Sequence, residues 1–200
     1  QAVGSTINYK GSYLLGKFNA KSLYHFWKYI HLRGLIASVF LTVVWFAFTP
    51  WMPALFNTSG TGIFLLFSAI WIGSFSFSIN ASYLNSRLLF KQLAILVLLQ
   101  PISRFTAAVV LTRVSPSMTF FAIVISLYIV AIVSYYFARQ GKDELDAKHE
   151  FHLPRDYFMA TLISGLSAIA FFSLDNLLIA KLMGAEDAGK YALLGLFGKM

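Results

Sequence analysis

From Leu35 to Ser86 the chain carries no charged residue, a run of 52 positions. A helix that crosses a bilayer needs about 20 apolar residues, so this run predicts two spans rather than one. The break falls at Asn57-Thr58-Ser59-Gly60-Thr61, a cluster of turn-forming residues. Span A then covers about Gly34–Phe56, with Pro50 and Pro53 near its outer end and Trp45 and Trp51 toward that interface. Span B covers about Gly62–Leu84. Span C covers about Gln92–Thr112 and is interrupted in hydropathy by Gln100-Pro101 and by Arg104. Ser115-Pro116-Ser117 predicts the next turn. Span D, about Met118–Phe137, ends in Tyr135-Tyr136-Phe137-Ala138-Arg139, an aromatic belt followed by a charge. After a polar stretch, span E covers about Tyr157–Met183, and a further apolar run opens near Tyr191. The pattern predicts an all-α, polytopic helical membrane protein.

Residues 18–33 read differently. Aromatic and aliphatic residues alternate with Lys and His at helical spacing, and no acid is present. This predicts an amphipathic helix lying in the inner leaflet ahead of span A. The alternative is a plain inward extension of span A.

Composition agrees with lipid as the main solvent. The chain is 58% hydrophobic and 12% charged, with 20 Phe, 10 Tyr and 4 Trp, and its mean hydropathy is +0.69. A soluble domain carries about 25% charged residues. There is no Cys, which excludes disulfides and thiolate chemistry. The chain opens on Gln1 and stops at Met200 inside an apolar run, so it is expected to be a piece of a longer protein.

Charge adds orientation. Sixteen Lys and Arg face eight Asp and Glu, and residues 1–142 hold 11 basic residues and no acid. In a soluble protein that excess would point to nucleic acid; in a membrane chain it follows from cytoplasmic loops, and no nucleic-acid partner is expected. Segments 10–33, 85–91 and 139–156 carry eleven Lys and Arg, against three in the alternate loops (Arg113, Lys181 and Lys190). The first three segments are therefore expected on the cytoplasmic side.

Charged groups at membrane depth cost about 2.5–3.5 kcal/mol each on insertion scales, so they face a cavity or a partner. Arg104 lies near the middle of span C, with Gln100 four residues earlier on the same helix face. Asp175, next to Asn176, lies in span E. These four are the candidate site residues, lining an aqueous path; the alternative is an Arg104–Asp175 ion pair that only orders the bundle, or a snorkelling Arg104. Ser74, Ser78, Ser82 and Ser86 recur at four-residue steps in span B. Close helix packing explains them more simply than a polar stripe facing a cavity. The four His (25, 31, 149 and 152) fall in the expected cytoplasmic segments, and no set has metal-ligand spacing. No phosphate loop, nucleophile elbow or catalytic constellation is visible, so no enzyme, cofactor or metal is expected.

One stretch is specific. Phe172-Ser173-Leu174-Asp175-Asn176-Leu177-Leu178-Ile179-Ala180-Lys181-Leu182-Met183-Gly184-Ala185-Glu186-Asp187-Ala188-Gly189-Lys190-Tyr191-Ala192 resembles the polysaccharide-exporter branch of the multidrug/oligosaccharidyl-lipid/polysaccharide exporter superfamily, which includes the O-antigen flippases. The resemblance implies part of a two-lobed fold of 12 to 14 spans. Residues 1–138 would belong to the N-terminal lobe, from the end of span two to span six. Residues 139–156 would be the cytoplasmic linker, and 157–200 the start of the C-terminal lobe. It further implies a flippase that carries an undecaprenyl-pyrophosphate-linked oligosaccharide from inner to outer leaflet by alternating access. Implied partners are that lipid-linked sugar, membrane lipids, a polysaccharide polymerase and a chain-length regulator. Arg104 and Gln100 would contact substrate; Asp175 and Asn176 would gate or couple to an ion. The runner-up is a multidrug-type cation antiporter of the same superfamily, which needs membrane-embedded acids that residues 1–142 do not supply. A membrane glycosyltransferase or polymerase would need a large outer loop, and a channel a selectivity filter.

Overall fold

In a computed structural model the described residues are 2–17, 20–56, 60–140, 155–182 and 191. They form α1 (Ala2–Lys17), α2 (Ala20–Phe48), a 3-10 turn at Thr49–Trp51, α3 (Met52–Phe56), α4 (Gly62–Ser86), α5 (Phe90–Thr112), a second 3-10 turn at Pro116–Phe120, α6 (Phe121–Arg139) and α7 (Arg155–Leu182). No strand occurs among them. Four stretches are long and apolar enough to cross a membrane: Leu23–Leu55, Gly62–Ser86, Phe90–Thr112 and Met118–Arg139. Spans A to D therefore stand, and span E is helical as the 28-residue α7. The protein is an all-α polytopic membrane protein. The turn at Asn57-Thr58-Ser59 and most of the linker, 141–154, lie outside the described residues.

The contacts give each helix its direction. Trp27 meets Asn80 and Trp45 meets Phe64, so α2 runs antiparallel to α4. Asn80 meets Ser134 and Ala69 meets Tyr128, so α4 and α6 run parallel. The ring of Tyr9 stacks on that of Tyr157 at 4.5 Å, which brings the start of α7 beside α1. Arg87, Lys91, Arg139 and Arg155 consequently share one end of the bundle, and the 3-10 turn at Thr49–Trp51 and the turn at 113–118 share the other.

The helices close most tightly at the basic end. Leu23, Phe26 and Trp27 of α2 are 0–2% exposed and pack with Ile7, Tyr83 and Val130. This corrects the surface-helix expectation for 18–33. From Ala20 onward the segment continues straight into span A as one 29-residue helix. Its stripe of Leu23, Phe26, Trp27 and Ile30 is buried against neighbouring helices, not against lipid. The physical reason is that a stripe at positions i, i+3, i+4 and i+7 suits a helical neighbour as well as a membrane surface, and here the neighbours exist. His31 is likewise buried inside the bundle, at 9% exposure.

Close approach of α1 to α4 rests on small residues. A Cβ placed on Gly4 would lie 2.8 Å from Ser82 Oγ and 3.2 Å from Ser78 Oγ, and one on Gly11 would collide with Ser86. The serine stripe thus serves helix packing at three of its four positions. At the end of α4 the chain reverses through a Schellman motif: Leu89 N–H donates to Leu84 O at 3.0 Å and Leu88 N–H to Asn85 O at 2.9 Å. Leu88 holds the left-handed position at φ 60°, where glycine is usual.

Candidate functional site

Gln100 and Arg104 sit one turn apart on α5 and line a single open groove of about 500 Å³ with Pro101, Phe105 and Ala108. The shared face expected from their spacing is therefore present. Arg104 is exposed and makes no ion pair among the described residues, and Phe105 beside it is 72% exposed. α5 packs on α6. Pro101 lies inside α5 and has no N–H to give the carbonyl of Val97, one turn back. Ser103 Oγ donates to Gln100 O at 3.0 Å in the same turn. The groove thus combines a fixed cation and a side-chain amide on a largely apolar helix. A guanidinium offers five donors in a planar fork, which matches phosphate oxygens two at a time.

Asp175 and Asn176 fall within α7, but their side chains lie outside the described residues, so their relation to Arg104 carries no geometry here. No group of three or more His, Cys, Asp or Glu that could hold a metal occurs among the described residues.

The structure adds a polar centre that the sequence reading passed over. Trp27 Nε1 donates to Asn80 Oδ1 at 3.0 Å, and Asn80 Nδ2 donates to Ser134 Oγ at 3.0 Å. Ser134 Oγ in turn donates to Ala131 O at 2.8 Å. The chain of bonds joins α2, α4 and α6 where all four residues are buried. His31 lies beside it, its ring 5.4 Å from Trp27 and 5.3 Å from Tyr135, and its buried Nδ1 has no hydrogen-bond partner among the described residues. The signal in the sequence was Asn80 alone, the one amide in span B (Gly62–Leu84). His31 was hidden because it precedes the long uncharged run that defines span A.

Comparison with known proteins places this architecture. The family model described as polysaccharide biosynthesis protein matches residues 21–194, which takes in Arg104, the polar centre and the Asp175 region. No curated protein and no solved structure matches the chain. With the match extending over most of its length, the chain belongs to the polysaccharide biosynthesis protein family, and its role lies in the making or export of polysaccharide.

Proposed function

We propose that the protein is a flippase: a transporter, not an enzyme, that moves a polyprenyl-pyrophosphate-linked oligosaccharide from the inner to the outer leaflet. The observation that carries the reading is Arg104, exposed at mid-span on α5 and sharing a groove with Gln100. A permanently charged residue at that depth needs an anionic partner or a wet cavity. The first 142 residues contain no carboxylate to provide one, and an anionic cargo would supply it. A pyrophosphate diester fits: its oxygens accept from the guanidinium, and the Gln100 amide donates to phosphate or to sugar hydroxyls. The drug-cation alternative gains nothing from this face, because a fixed Arg repels such a substrate.

Alternating access would carry the site from one leaflet to the other, with Asp175 and Asn176 of α7 as gate or ion-coupling residues. The basic end of the bundle would face the cytoplasm of a bacterial inner membrane. A polymerase and a chain-length regulator would act on the sugar after it crosses.

The test is polysaccharide export in cells that depend on this protein. Arg104→Ala is expected to abolish export at normal protein level, and Arg104→Lys to retain a reduced rate, since a point charge keeps the attraction and loses the fork. Full export by both variants removes Arg104 from substrate binding.

A further inference from the structure

A second groove lies on the far side of the polar centre from α1. Its floor is Ile72, Gly73 and Ser76 of α4, and its walls are His31 and Leu35 of α2 and Tyr128, Ile132 and Tyr135 of α6. It measures about 290 Å³ and is almost wholly apolar below the level of Tyr135. The helical register puts one cation at the head of each wall. Lys28 stands three residues before His31 and seven before Leu35; Arg139 stands four after Tyr135 and seven after Ile132. Both cations are exposed. The contact of His31 with Tyr135 at 5.3 Å sets the two walls at one level, so Lys28 and Arg139 lie at one height on either side of the mouth. Tyr135 is about 6 Å below Arg139 along the helix axis.

The sequence of surfaces from the basic end inward is therefore cation pair, imidazole and phenol, then hydrocarbon. The buried Nδ1 of His31 has no hydrogen-bond partner among the described residues.

The geometry points to this groove as a binding site for one anionic diacyl phospholipid. Its phosphate sits between Lys28 and Arg139, its glycerol ester region reaches His31 and Tyr135, and one acyl chain lies along Leu35, Ile132 and Ile72. Basic pockets between membrane helices hold anionic headgroups by this arrangement of charges. Residues 1–142 carry no acid, so α1 to α6 offer the two cations no carboxylate. The site is separate from Arg104, which lies on α5, and it stands whether or not the protein is a flippase.

The test uses the full-length protein taken from vesicles of dioleoyl phosphatidylglycerol diluted into dioleoyl phosphatidylcholine, with the retained lipids read by native mass spectrometry. The wild type is expected to keep phosphatidylglycerol well above its share of the bilayer. Lys28→Gln and Arg139→Gln are each expected to lower that excess by about fivefold. Ile132→Trp fills the groove from an exposed position and removes no cation, and it lowers the excess as far. Lys91→Gln, an exposed cation at the same end outside the groove, leaves it unchanged. Inorganic phosphate does not displace the lipid, because it lacks the chain. Absence of enrichment overturns the site, and so does enrichment indifferent to Ile132→Trp and to both cation variants. Displacement of phosphatidylglycerol by an equal amount of polyprenyl phosphate overturns the choice of occupant. A doubled protein mass that Ile132→Trp returns to single gives the groove to a second copy of the chain and overturns the lipid.

Discussion

Trp27 Nε1 donates to the side-chain oxygen of Asn80 at 3.0 Å, across 53 residues of sequence, with both groups buried. Asn80 uses its amide nitrogen on Ser134 at the same distance, so one side chain of α4 ties α2 and α6 together. The amide is the hub because it both accepts and donates. Asn80→Ala leaves the indole N–H without its acceptor, and the expected loss of stability is about 1–3 kcal/mol. Asn80→Asp puts an ionisable carboxyl at a fully buried position, so it is expected to cost at least as much as Asn80→Ala. Thermal or denaturant unfolding in detergent checks both.

The reversal after α4 holds a leucine where glycine would be relaxed. Leu88 at φ 60° is held there by the two Schellman bonds to Leu84 and Asn85. A non-glycine residue in this region costs about 1–2 kcal/mol. Leu88 is 62% exposed, so its side chain returns little by burial. Leu88→Gly is therefore expected to raise the unfolding midpoint by an amount worth about 1 kcal/mol after the entropy of glycine is set against it. A lowered midpoint would show that the leucine side chain is needed at the membrane surface.

Gly11 meets Ser86 so closely that a methyl group between them has no room. Gly11→Ala is expected to cost about 1–3 kcal/mol by overpacking. Ser86→Gly in the same chain is expected to recover part of that loss, although it also removes the Ser86 hydrogen bond to Ser82 O at 2.9 Å. A double-mutant cycle measures the coupling, and additive losses would exclude the contact as the cause.

If Asp175 couples transport to an ion gradient, Asp175→Asn removes the titrating group and leaves the shape. Transport by Asp175→Asn is expected to lose its dependence on proton or sodium gradient. Full gradient dependence in that variant assigns coupling elsewhere.

The sequence made the membrane helices readable because length and hydropathy suffice for them. Spans B and C matched α4 and α5 to within two residues at either end, and Pro101 sits inside α5 without ending it. Residues 20–33 were misread because an amphipathic stripe does not say what it will be buried against. The presence of α1, α4 and α6 on that side decides it, and those contacts are 53 or more residues away for α4 and α6. The shared face of Arg104 and Gln100 was legible from i, i+4 spacing alone. Asn80 and His31 were not, because a buried hydrogen-bond hub is a property of three helices meeting and leaves only one or two polar letters in each.

The central claim is transport of a lipid-linked sugar, and sealed proteoliposomes test it most directly. A polyprenyl-pyrophosphate oligosaccharide is placed in the vesicles, and its exposure in the outer leaflet is read by a membrane-impermeant reagent. The predicted result is that wild-type protein makes the inner-leaflet pool accessible while Arg104→Ala leaves it protected. Protection of the inner pool with the wild type, or release of a cationic dye in its place, would contradict the account.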